Sequence, residues 1–260
     1  MKRWVGWLVL LGFAYALGLL IWLPAESAYR YARPYIEPEI ERRLDLQGVD
    51  GTVWQGSAAQ LYWDEMALGR LSWEVAPLQL LGGSAALQWL LQQGDGHLKG
   101  VATAALDRSG ETVEMVEGDF GVGQILQLFP FLPLVLEGRV VLDLPRITLS
   151  GGKLTGAEGV VQWRQAALTV PLKAALGDLQ LRLEPLTTEG REGVEGMLSN
   201  EGGELQLAGS VTFESSGRYL TQITVEPRST TPEQLRNSLG LLGRRGQDGK
   251  YHIRRSGVIR

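Results

Sequence analysis

Twenty consecutive residues near the start of the chain, Trp4 to Leu23, carry no charge. As a helix they extend roughly 30 Å, about the hydrocarbon thickness of a bilayer. Trp4, Trp7 and Trp22 stand toward the ends of the run, where amphipathic rings favour a membrane interface. Lys2 and Arg3 precede it, and positive charge is retained on the cytoplasmic side. The expected topology is a cytoplasmic tip over residues 1–3 and one transmembrane helix over 4–23. Everything beyond Pro24 then lies outside the cytosol, in the periplasm of a Gram-negative cell. A cleaved signal peptide is the competing reading, with Ala25-Glu26-Ser27 supplying small residues at the cleavage spacing. The apolar part of such a peptide is ordinarily about 7–15 residues, shorter than this run.

The chain beyond the run is long enough for one large β domain or two small ones. The 25 basic residues, Lys2 and Arg3 among them, face 29 acidic ones, so the exported part is acidic. Such a surface does not track nucleic-acid phosphates. There are no cysteines, which excludes a disulfide framework, thiol catalysis and thiolate metal sites.

Residues 24–45 read as a juxtamembrane helical linker. Tyr29, Tyr31 and Tyr35 suit a membrane border, Arg30 and Arg33 suit lipid phosphates, and Pro34 and Pro38 predict a kink or restart. A plain connector is the alternative. From Leu46 the pattern changes to period two, which predicts a periplasmic β domain over 46–260. Leu71, Trp73 and Val75 alternate with Arg70, Ser72 and Glu74. The same holds for Leu179, Leu181 and Leu183, and for Tyr219, Thr221, Ile223 and Val225. Glycine-bearing breaks at Gly82-Gly83, Gly94-Asp95-Gly96, Gly151-Gly152 and Gly202-Gly203 predict turns. The expectation is about a dozen short strands. The 34 glycines suit a strongly curved sheet.

Two segments read as helices. Gly123 to Phe129 is a short one, ended by Pro130 and Pro133. Thr231 to Leu242 is longer, with Thr231 as N-cap, Pro232 in the first turn and Gln234 completing a capping box. Leu235, Leu239 and Leu242 share one face, and Gly243 suits its end. Lys250 to Arg254 alternates again and reads as a last edge strand. Gly51-Thr-Val-Trp54 and Gly159-Val-Val-Gln-Trp163 form a weak internal echo, each read as opening a strand.

Catalytic motifs are missing. His97 and His252 lack any surrounding motif and read as solvated strand residues. Gly118, Gly121 and Gly123 fail the dinucleotide spacing, and Asp119 stands among them. Asp64-Glu65 and Glu192/Glu195 lack calcium-loop spacing and read as surface acids. The expectation is a non-enzyme with no cofactor and no metal site. Arg244, Arg245, Lys250, Arg254, Arg255 and Arg260 make a local reversal of charge. It suits contact with lipid headgroups or an acidic partner, or else a charged edge strand that resists aggregation. Trp54, Trp63, Trp73, Trp89 and Trp163 read as strand residues that fill a core or wall an apolar groove.

Four blocks taken in order carry a resemblance. They are Gly51-Thr-Val-Trp54-Gln-Gly56-Ser-Ala, Leu71-Ser-Trp73-Glu-Val-Ala-Pro77 with Gly82-Gly83, Gly156-Ala-Glu-Gly159-Val-Val-Gln-Trp163 through Leu168, and Asp248-Gly249-Lys-Tyr251 with Gly257. Together they resemble the type II secretion system protein N family. Val53 replaces the leucine of the first block, a volume-compatible change. The resemblance implies a single-pass inner-membrane accessory that assists export of folded proteins across the outer membrane. It implies partners in the inner-membrane platform and no catalytic residues. The family is similar in turn to periplasmic lipid-handling β proteins, which implies a curved, folded-over antiparallel sheet of β-taco or jelly-roll type. Lipid or amphiphile binding in that fold is the alternative function.

Overall fold

The computed structural model describes residues 18, 22–35, 42–80, 82–105, 111–126, 135–170, 173–186, 190–242 and 244–258. The uncharged run therefore lies outside the described residues apart from Gly18, Trp22 and Leu23. Among the described residues no helix is long and apolar enough to cross a membrane. The chain divides into two compact units, Met1–Gly94 and Asp95–Arg260.

After Leu23 the first unit holds α1, Ala25–Ala32, continued by a 3₁₀ turn at Arg33–Tyr35. Pro24 starts the helix, its carbonyl accepting the Ala28 N–H at 3.0 Å. The predicted restart at Pro34 appears as this tightened turn, while Pro38 lies outside the described residues. Four strands follow: β1 Leu44–Gly51, β2 Gln55–Trp63, β3 Met66–Val75 and β4 Ser84–Gln93, with a short helix α2, Pro77–Leu80, before the last. They pair antiparallel in chain order. Asp64-Glu65 forms the two-residue turn between β2 and β3, both residues with positive φ (48° and 68°), as a turn matching the strand twist requires. Arg43 Nε donates to Asp64 at 3.1 Å, so this acidic pair serves a hairpin corner.

Two expectations about this region need correction. The strand region starts at Leu44, two residues early. Gly51 ends β1 with φ +88°, and Thr52 to Trp54 form the connection to β2. Trp54 is therefore not a strand residue. Its carbonyl instead accepts the Val75 N–H at 2.7 Å, which ties the connection to the end of β3.

The second unit holds β5 Gly96–Ala105, β6 Glu111–Gly121, α3 Val122–Leu126, β7 Val135–Ser150, β8 Lys153–Val170 and β9 Ala174–Pro185. Then come β10 Gly193–Glu201, β11 Leu205–Glu214, β12 Arg218–Pro227, α4 Glu233–Leu242, β13 Arg244–Arg245 and β14 Tyr251–Val258. Pairing is antiparallel and follows chain order up to β12, then β14 and β13. Not all strands are short. β7 has 16 residues and β8 has 18, joined at the Gly151-Gly152 hairpin. Bulges disguise that length in the sequence: Asp143 pairs with Val160 and Arg146 with Glu158, so Leu144 and Pro145 together oppose Gly159. Pro145 has no N–H to offer a ladder, and the bulge needs none from it. Gly159 to Trp163 accordingly sits inside β8 and opens no strand.

Helix α3 confirms the short helix, with residues 127–134 outside the described set. Helix α4 confirms the longer one, starting one residue later than a Thr231 cap requires. The Pro232 carbonyl accepts the Arg236 N–H at 3.0 Å, so Pro232 occupies the cap position and the capping box does not form as spaced. Thr231 is buried, its hydroxyl donating to the Glu204 carbonyl between β10 and β11. Leu235 and Leu239 pack against Ala174, Leu205, Val225 and Tyr251 as the core of this unit. The side chain of Leu242, and all of Gly243, lie outside the described set. β14 begins at Tyr251 and is not a simple edge, since Tyr251 and His252 pair with β12 on one side and β13 on the other.

Arg139 on β7 donates through Nη1 to Asp95 and through Nε to Asp119 at 2.8 Å. That hydrogen bond, then the Arg139 charge, holds the Asp95 carboxyl below the usual carboxylate range. A depressed carboxyl contributes stability that is complete above its unfolded pKa, about 3.9, and lost as pH falls through the lower folded value. Asp95→Asn is expected to flatten the acid limb of stability against pH, measured by chemical unfolding. An acid limb as steep as in the parent chain would show the pair to be inert.

Candidate functional site

The residues that carry the resemblance gather in two places. In the first unit, Gly56 pairs across β2 and β3 with Trp73. A Cβ on Gly56 would stand 2.6 Å from Cζ2 of that indole and 2.7 Å from the Asp50 carbonyl. Only glycine lets the ring lie on the neighbouring strand. The Trp73 N–H donates to the Val53 carbonyl at 3.2 Å, fastening β3 to the connection that Gly51 and Trp54 bound. Pro77 opens α2, where its fixed φ fits a first helical turn. In the second unit, Trp163 repeats the device, its N–H donating to the Glu137 carbonyl at 3.0 Å. Gly159 lies earlier on the same strand, opposite the Pro145 bulge. Gly249 and Tyr251 are far along the chain from these. Asp248 and Gly249 turn the chain into β14, and Tyr251 enters the core under α4.

Beside the first of these places lies an apolar groove of about 490 Å³, wholly within the first unit. Alternation aims Leu71, Trp73 and Val75 of β3 to one side, with Leu87 and Trp89 of β4 beside them in register, Trp73 directly against Trp89. Leu46, Val49 and Val53 extend the wall. Ala25, Ala28, Tyr29 and Ala32 of α1 form the opposite wall, the i, i+3, i+4, i+7 face of that helix. The Tyr29 hydroxyl accepts the Leu46 N–H at 3.3 Å, and the Leu23 carbonyl accepts the Val53 N–H at 3.1 Å. A bridge between Pro24 and Thr52 adds to this seating of α1 against the sheet. Of the five tryptophans beyond Pro24, Trp73 and Trp89 wall this groove. Trp63 lies under the Arg43 guanidinium at 5.6 Å. The α1 wall was missed in the sequence, although its helical spacing was a readable signal.

The basic residues fall into separate settings. Arg30 is exposed and pairs with Glu26 at 2.8 Å. Arg33 lies over the Tyr29 ring at 5.8 Å and 3.8 Å from Asp45. On β14, Arg254 and Arg255 are both exposed, and as neighbours on a strand they project to opposite faces. Lys250 pairs with Glu226 at 2.8 Å. Arg244 and Arg245 belong to β13, and Arg260 lies outside the described residues. β13 pairs with β14, so Arg244 and Arg245 stand on the strand beside the one that carries Arg254 and Arg255.

His97 is an exposed residue of β5 opposite Asp119. The ring of His252 touches Thr224 at 3.3 Å and Asp248 at 3.2 Å, also in the open. Hydrogen bonding to the Lys250 N–H, then to His252, holds the Asp248 carboxyl below its usual range. Among the described residues no cluster of three or more histidines and carboxylates is placed to hold a metal ion.

The family model described as Type II secretion system (T2SS), protein N matches residues 42–254. The chain is 28% identical to the type II secretion system protein N of Vibrio cholerae, over all of both chains. It is 26% identical to the Aeromonas hydrophila protein of that name, with 95% of each chain covered. The Klebsiella pneumoniae protein of that name is 27% identical, with 82% of each covered. No solved structure gives a significant match. The match over 42–254 takes in every block quoted above apart from Gly257, and the chain belongs to the type II secretion system protein N family.

Proposed function

We propose that this component of type II secretion is a non-enzymatic accessory of the inner membrane, with 4–23 as its single span and its β units in the periplasm. Its work is tethering. A span raises the local concentration of the attached β surface beside the membrane platform of the machine. The observation that supports this reading is the short connection after the uncharged run. The Leu23 carbonyl, Pro24 and α1 are seated directly on the sheet of the first unit, so an anchor there would hold that sheet close to the bilayer. Trp22 is 77% exposed and Tyr31 79% exposed, and Arg30 precedes Tyr31 in the chain, a composition suited to a headgroup layer.

The test is topology plus association. A phosphatase reporter fused after Arg260 is expected to be active, and a fluorescent protein that matures only in the cytoplasm is expected to stay dark there. The chain should co-purify with inner-membrane platform proteins of type II secretion. A bright cytoplasmic reporter, or a mature chain starting after Ala25, would overturn the reading. Amphiphile binding is the second reading, favoured by the groove between α1 and the sheet.

A further inference from the structure

We infer that the groove of the first unit binds one acyl chain of an anionic membrane phospholipid. The inference rests on the reading of the chain as a membrane-anchored protein and names the site and ligand class of its second function. The groove's volume, about 490 Å³, falls in the range of ligand pockets, roughly 300–1,000 Å³. The lining selects the occupant. Its side-chain polar groups are those of Tyr29, Trp73 and Trp89, and the first two are taken up by Leu46 and Val53. At most one indole N–H is left for a ligand. An extended peptide or a loop would bury backbone N–H and C=O groups there without partners, each at a cost of kcal/mol size. A hydrocarbon chain has no such groups to satisfy.

The small residues Ala25, Ala28 and Ala32 keep the helix wall low, which leaves a slot facing the two indoles. The rim supplies the sign of the headgroup. The Arg33 guanidinium lies 5.8 Å from the ring of Tyr29, itself a groove residue, and 3.8 Å from Asp45. A phosphate above the slot would meet the Arg33 guanidinium, with Asp45 as its present counter-charge.

The full chain in vesicles of phosphatidylcholine and phosphatidylglycerol, with a photoactivatable diazirine on one acyl chain, provides the test. Cross-linked peptides are then mapped by mass spectrometry. Labels are expected on peptides containing Leu71 to Trp89 and Leu46 to Val53, besides any on residues 1–23. In Ala28→Trp the groove labels should fall about tenfold, what excluding roughly two methylenes from apolar burial amounts to. Ala28→Met, a smaller plug, should move them the same way should the indole unseat α1. Arg33→Glu should lower labelling from diazirine phosphatidylglycerol about fivefold and leave that from phosphatidylcholine unchanged. Labels confined to residues 1–23, or groove labels that persist in both Ala28 variants, would overturn the inference. Equal loss from both lipids in Arg33→Glu would remove the anionic headgroup from it. A periplasmic reporter and intact platform association without groove labels would sink this inference alone and leave the tethering role standing.

Discussion

Gly159→Ala is expected to destabilise the second unit by about 3–5 kcal/mol, among the largest effects of any single methyl in the chain. Gly159 has φ +137°, a region that side-chain-bearing residues enter only under strain. Space is as restrictive as conformation. A Cβ there would lie 2.3 Å from the Asp143 carbonyl oxygen, 2.7 Å from Leu144 Cα and 2.9 Å from Pro145 Cδ. These are atoms of the bulge on β7, held by the pairs Asp143 with Val160 and Arg146 with Glu158. They cannot retreat without breaking one of those pairs. Gly151→Ala supplies the comparison. Gly151 has φ +55°, and nothing lies within 4 Å of its would-be Cβ. It should cost only about 1 kcal/mol, the conformational part alone. Chemical unfolding followed by circular dichroism measures both. Equal losses in the two variants would mean that the β7 bulge yields freely and that close approach is not why glycine stands at 159.

Leu239→Ala is the second large effect, expected at about 2–5 kcal/mol. Leu239 is 1% exposed and is, with Leu235, the largest fully buried side chain among the described residues. It packs in the cluster that joins α4 to β9, β11, β12 and β14 through Ala174, Leu205, Val225 and Tyr251. The sheet beneath is held by backbone pairs and cannot collapse into the gap, so the cavity term adds to the lost transfer energy. Met197→Ala, at a side chain 56% exposed on β10, should stay within about 0.5 kcal/mol. Limited proteolysis gives a second readout, with Leu239→Ala admitting cleavage in 233–242 under conditions where the parent chain is protected. An intact α4 and an unchanged unfolding midpoint would place the core of this unit elsewhere.

Much of the strand pattern was legible because one face of each strand is apolar. Leu71, Trp73 and Val75 alternate in the sequence and share a groove wall in the fold. Leu181 and Leu183 alternate and reach the same neighbour, Gly196. What escaped were features governed by partners. Asp64-Glu65 carries no glycine, and only the pairing of Trp63 with Met66 shows it to be a tight turn. The bulge around Leu144 and Pro145 breaks the period of two, so β7 and β8 read as several shorter strands. Thr231 has the chemistry of a helix cap, yet its hydroxyl goes to Glu204, a neighbour 27 positions away. Of the groove, the Trp73 and Trp89 wall was visible as aromatic strand residues. The α1 wall was read as a membrane border because Tyr29 and its arginine neighbours suit both settings.

By itself the sequence determined the class of structure and the family. Period-two apolar faces demand antiparallel strands. The ordered glycine and tryptophan blocks identified the family. Local sequence suffices for these, because each depends on residues near in the chain. Only the tertiary structure decided which glycines are irreplaceable, where α4 begins and what Tyr29 faces. Those depend on contacts between residues separated in the chain, 16 positions for Gly159 against Asp143 and 17 for Tyr29 against Leu46. Such distances in sequence become contacts only once register and bulges have set which backbone meets which.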